Sequence, residues 1–169
     1  KFLENWGDGV YGLLLKDLTF SKIKNNIFRN NTVGIFMDGA SKVDLYHNEF
    51  VNNGWGLKIN ANCMENRLMN NNFENNTFDV STSGSLVMNS FRNNYWDKYE
   101  GYDLDKDKIG DVPFHPLSLY AVLAEKNSMI MLLYRTFFVE ILDRSEKLVP
   151  SLTPENFVDE QPMMKPNKI

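Results

Sequence analysis

Aspartates at 103, 105, 107 and 111 are the densest concentration of ligand chemistry in the sequence. Counted from Asp103 they fall at relative positions 1, 3, 5 and 9, with the Ile109 carbonyl at position 7. That is how a calcium loop opens, offering hard oxygen ligands from alternating residues. Two positions depart from the pattern. Lys108 stands where the sharp turn favours Gly, and Phe114 stands where a bidentate Glu would close the site. Gly110 offers an alternative place for the turn. The competing reading is a solvated acidic turn, and both readings need an element that holds the loop in place.

That element is announced by a repeat. NIFRNNTVGIF, from Asn26, returns as NEFVNNGWGLK from Asn48 and as NNFENNTFDVS from Asn71, with a shorter copy, NSFRNNYWD, from Asn89. The aromatic residues Phe28, Phe50, Phe73 and Phe91 advance by 22, 23 and 18 residues. A degraded copy opens the chain, with Phe2 matching Phe28 and Gly12 matching Gly34. A period of about 22 residues excludes tetratricopeptide and ankyrin repeats, and the regular leucine offsets of leucine-rich repeats are missing. Each copy instead holds short alternating segments, the mark of half-buried strands, punctuated by Asn and Gly, which tolerate left-handed corners. The prediction is an all-β, right-handed parallel β-helix. In it Phe28, Phe50, Phe73 and Phe91 stack inward, and Asn30, Asn52, Asn75 and Asn93 form a ladder. The same register aligns Lys16 with Asp38 and Asn60, and Lys22 with Asp44 and Asn66.

Composition bounds the function. The chain has 169 residues and a net charge of −4, which gives no electrostatic support to nucleic-acid binding. The single cysteine, Cys63, makes no internal disulfide, and no apolar run is long enough to span a bilayer. The chain has neither an initiator Met nor a signal-like start, and Lys1 already lies inside a repeat, so the expectation is a C-terminal portion of a longer solenoid.

The Asn pairs stop after Asn94. Coils are therefore expected over 1–97 and a cap over 98–169, because an open solenoid end must be covered. Tyr95, Trp96, Tyr99 and Tyr102 suit that cover. Helical patterning follows over about Leu117–Glu125 and again from Ser128 to Lys147, before a Pro-punctuated tail. The second helix has apolar residues on more faces than one contact requires. Tyr134, Phe137, Phe138 and Ile141 are its candidate partner-binding residues, Phe137 and Phe138 projecting about 100° apart.

NYWDKYEGYDLDKDKIGDVPFHPLSLY and PSLTPENFVDEQPMMKP resemble the C-terminal part of the NosD family, periplasmic accessory proteins of nitrous oxide reductase maturation. WGDGVYGLLLK, TVGIFM and NTFDVSTSGSLVMNSF look like that family's repeats, so the resemblance covers essentially the whole chain. It implies a periplasmic β-helix working with an ABC-type permease and ATPase, its client being nitrous oxide reductase or a copper chaperone. It also implies copper–sulfur centre assembly. Copper enters only through this resemblance. Thioethers, thiolate and imidazole are the ligands that suit it, making Met163 and Met164 the candidates, with Cys63, His47 and His115 more scattered.

The resemblance implies a non-enzymatic binding module. The rival class is a carbohydrate-binding or polysaccharide-degrading β-helix, whose enzymes cluster carboxylates in one groove. Asp38, Asp44 and Asp79 occupy different offsets from the repeat glycine and form no such cluster in the sequence. No phosphate-binding G-x-x-x-x-G-K-[ST] loop occurs, so the ATPase is a separate chain.

Overall fold

A computed structural model of the chain describes residues 1–84, 88–133, 136–137, 141–142 and 157–169. The first coil holds β1 (Phe2–Leu3), β2 (Tyr11–Lys16) and β3 (Lys22–Lys24); the second holds β4 (Ile27–Arg29), β5 (Val33–Asp38) and β6 (Asp44–Tyr46). The third holds β7 (Glu49–Val51), β8 (Trp55–Ile59) and β9 (Arg67–Met69); the fourth holds β10 (Asn72–Glu74), β11 (Phe78–Thr82) and β12 (Ser90–Arg92). β13 (Tyr95–Trp96) begins a fifth. Strands pair in parallel one coil apart, giving three sheets ordered β1-β4-β7-β10-β13, β2-β5-β8-β11 and β3-β6-β9-β12. This is a parallel β-helix of about four turns, as the repeat predicts.

Its core is built in columns. Phe2, Phe28, Phe50, Phe73 and Trp96 share one register, with rings stacked at 4.8, 5.1, 4.6 and 4.3 Å. Phe91 is not in that column; it pairs with Leu68 in the neighbouring sheet. The cause is a doubled signal. The second, third and fourth coils each carry two Asn pairs, or near-pairs, five residues apart, and Asn93-Asn94 repeats the first pair rather than the second. Trp96 therefore follows Asn94 just as Phe73 follows Asn71.

The ladder also moves by one residue. Asn30, Asn52, Asn75 and Asn93 hold left-handed φ values of 54 to 56° at the corners. It is the residue after each that turns inward. Asn31 Nδ2 donates to Asn53 Oδ1 and Asn53 Nδ2 to Asn76 Oδ1, both at 3.0 Å. A parallel ladder runs Asn26, Asn48, Asn71, Asn94. Every step has one polarity, with donors pointing toward the C-terminal coils, so each ladder must end on an acceptor. Both end on a carboxylate: Asn76 Nδ2 meets Asp79 Oδ1 at 3.2 Å, and Asn94 Nδ2 meets Asp159 Oδ2 at 3.0 Å.

The outer charges follow their expected register with one exception. Lys16 Nζ lies 3.9 Å from Asp38, which accepts from Asn60 at 3.0 Å. Asp44 stacks on Arg67 instead of Asn66, because the third coil is one residue longer before β9 and Asn66 turns inward to bond Asn89.

The segment after β13 closes the stack. Trp96 covers Phe73 and meets Phe114, while Tyr99 packs edge-on to Phe114 and donates its hydroxyl to Val112 O at 2.7 Å. Tyr102 remains exposed. Residues 157–169 then return to the solenoid. Asp159 bridges Phe91 and Met163 bridges Tyr95 in parallel, while Phe114 and Ile109 pair with the same two residues from the other side. The tail is thus a partial further rung, sharing one apolar core with the coils through Phe157.

Candidate functional sites

The acidic loop gathers three of its four carboxylates. Ligand oxygens of Asp103, Asp105 and Asp107 lie within 4.8 Å of one another, the single such group among the described His, Cys, Asp and Glu residues. Asp103 accepts from the backbone N–H groups of Asp107 and Lys108, and Asp107 from that of Ile109. Asp111 faces elsewhere in the loop, accepting from Leu104 N at 2.7 Å. The Asp107 N–H lowers the Asp105 carboxyl, but desolvation and the surrounding carboxylates outweigh it and leave that group raised. A hard divalent cation would relieve this repulsion. Lys108, at the position that favours Gly, holds φ +78°. The loop is braced from beneath, where Gly110 N donates to Pro162 O and Met164 N to Lys108 O.

The soft donors are dispersed. His47 occupies a left-handed corner before β7, with its Nδ1 buried and unbonded. Cys63 is buried after β8, and desolvation pushes its thiol up, away from the thiolate that copper prefers. His115 is exposed in the connector. Met163 and Met164 are half-buried on the tail, fixed by their backbone bonds. These placements do not compose a self-contained copper centre.

An apolar surface rises beside the cap. Helix α1 (Leu119–Lys126) starts where Ser118 Oγ accepts from Ala121 N, and it buries Tyr120, Ala121 and Ala124. Tyr120 packs on Phe78, and Glu125 meets Lys58 at 2.8 Å, fixing α1 on the outer face of β8 and β11. The next helical segment begins at Ser128 as predicted, but as a 3-10 helix, Ser128–Leu133, held by Tyr120 Oη donating to Ile130 O. A 3-10 winding places side chains about 120° apart and spreads them around the axis. Met129, Leu132 and Phe137 are 74%, 83% and 74% exposed, and Leu133 and Ile141 are also exposed. Tyr134 and Phe138 lie outside the described residues.

Two further features were not read as functional in the sequence. Asp79 lies in register with Gly12, Gly34 and Gly56, where a Cβ would press on the next coil's carbonyl. In the fourth coil that space belongs to a buried carboxylate, which Lys98 Nζ meets at 3.1 Å. The other is a column of Phe20, Lys42, Glu65 and Met88 at one corner. Its signal was the 22- to 23-residue spacing of residues standing where other corners carry Asn.

Fold and surface together define a capped parallel β-helix whose closing segment presents apolar side chains to solvent. The chain belongs to the NosD family: residues 2–101 match the family described as "Periplasmic copper-binding protein (NosD)". It is similar to the "Probable ABC transporter binding protein NosD" of Stutzerimonas stutzeri, 25% identical over 176 residues, covering 94% of this chain and 40% of that protein. The protein of the same name from Pseudomonas aeruginosa PAO1 is 25% identical over 175 residues, covering 94% and 41%. The chain thus spans about two fifths of the length of these relatives. No helix among the described residues is long and apolar enough to cross a membrane.

Proposed function

We propose that this chain is the transporter-docking end of a non-enzymatic periplasmic assembly protein. The observation that carries this reading is the exposed apolar set Met129, Leu132 and Leu133 on the helical segment that follows α1, with Phe137 exposed beyond it. A concentration of large exposed apolar side chains in one short segment favours an interaction surface. The names of the two relatives supply the partner class, an ABC-type transporter. The permease is the component that reaches the periplasmic side, with the ATPase held through it. Phe137 and Ile141, with Tyr134 and Phe138, are the anchors assigned to that contact.

Copper is the cargo in this account rather than a resident ion. Met163 and Met164 are the soft donors this segment contributes, and the rest of a copper ligand set comes from the client, nitrous oxide reductase or a copper chaperone. Asp103, Asp105 and Asp107 would hold calcium in a structural role, where it would stiffen the loop that contacts the tail.

Co-purification of the full-length protein with its permease and ATPase tests the docking role. Removing 128–147 is expected to release both partners while leaving the β-helix folded. Retention of the transporter by the truncated protein would refute the reading.

A further inference from the structure

We propose that the groove on the outer side of β3, β6 and β9 binds an acidic sugar, a pyranose ring bearing one carboxylate. This is independent of transporter docking. The groove has a volume of about 510 Å³, within the range of small-ligand sites.

Its rim is the unusual corner of the solenoid. Phe20, Lys42, Glu65 and Met88 hold φ values of +52, +56, +58 and +69° in four successive coils. Elsewhere the same conformation is taken mainly by Asn, at 25, 30, 52, 70, 75 and 93, because Asn and Gly adopt it with least strain. Burial does not explain the exception, since Phe20 is 77% and Met88 70% exposed. Four poorly suited residue types at one exposed corner, all lining one groove, point to a role for their side chains.

The groove's chemistry narrows the ligand. Phe20 gives an exposed aromatic ring, one face of which carries Lys42 Nζ 5.2 Å from the centroid. Lys22, Lys42 and Arg67 face Asp44 and Glu65, so the groove carries one net positive charge in a chain of net −4. Arg67 grips Asp44 through Nε and Nη2 at 2.7 and 2.8 Å, and Asp44 does not engage the Nη1 donors. Lys42 and Glu65 are a loose pair at 3.9 Å. One uncompensated cation suits one carboxylate. Asp44 and Glu65 would repel a doubly charged phosphate, yet accept hydrogen bonds from ring hydroxyls. The apolar face of a pyranose would stack on the Phe20 ring where Lys42 Nζ does not cover it.

Titration of the chain with galacturonate, which carries a single carboxylate, followed by amide NMR shifts, tests this. Saturable shifts around Phe20, Lys22 and Arg67 are expected, with the neutral methyl ester binding about tenfold more weakly, as loss of one charge-assisted contact implies. Phe20→Asn should keep or raise the melting temperature while weakening galacturonate by a similar factor, separating binding from folding. Absence of saturable shifts would overturn the proposal. So would equal binding of acetate, tighter binding of AMP, or unchanged affinity in a folded Phe20→Asn variant.

Discussion

Asp79 is the one carboxylate placed where earlier coils have glycine, and its environment sets a pH response. Burial raises its pKa, while Lys98 and the amide of Asn76 lower it and the Asp97 charge adds to the rise. A raised folded pKa means the native state holds the proton more tightly than the unfolded chain. The contribution is fully present below the unfolded pKa and is lost as pH rises through the folded value. Asp79→Asn keeps an oxygen for Asn76 and removes the desolvated charge. Lys98 retains the carbonyls of Asn76 and Thr77. We expect it to stabilise the fold at pH 7, because the desolvated charge is removed while Lys98 is half exposed and keeps its carbonyl partners. The gain should shrink toward pH 4, and urea melts at the two pH values check the sign. Lys108 gives a second test at this scale. Its left-handed φ is costly for a lysine, so Lys108→Gly should stabilise the loop by about 1 kcal/mol and strengthen any calcium-dependent rise in melting temperature. If calcium and chelator give identical melts for both proteins, the loop is a solvated turn.

Between single residues and the whole chain stand the ladders, whose rungs each serve two coils. Asn71 Oδ1 accepts from both nitrogens of Asn48, while its Nδ2 donates to Leu45 O and Asn94 Oδ1. Asn71→Leu strands several buried groups at once and should cost about 3 kcal/mol or more, measured by chemical denaturation. A cost below about 1 kcal/mol would show that water replaces the rung. The β-helix itself was legible because Phe, Asn and Gly recur together, and Phe2, Gly12 and Lys16 stand in the register read for them. Phe91 was misplaced because two Asn pairs per coil offer two alignments, and only the paired strands choose between them. Which Asn of each pair turns inward was likewise hidden, since left-handed and ladder positions both accept Asn. The acidic trio was readable from spacing alone. The groove was not, because its rim residues follow no motif and are notable only for their backbone conformation.

Across the whole molecule, the tail ties cap and solenoid into one body. Asp159 accepts from Asn94 N, Asn94 Nδ2 and Trp96 Nε1, so one side chain ends a ladder and fixes the closing aromatic. Asp159→Ala leaves three buried donors without an acceptor and should cost on the order of 3 kcal/mol, whereas Asp159→Asn should be milder because it keeps one oxygen. Equal melting of both variants would show that the tail does not hold the end of the stack. With that end fixed, the apolar segment beyond α1 stands on a rigid base, as a docking element requires. Its direct test is Phe137→Ala in the full-length protein, with thermal unfolding and co-purification of the permease and ATPase measured together. Because Phe137 is exposed, the account predicts an unchanged melting temperature and a transporter yield reduced at least about tenfold, as for an aromatic anchor. A stable variant that recovers the transporter at the wild-type level would contradict it.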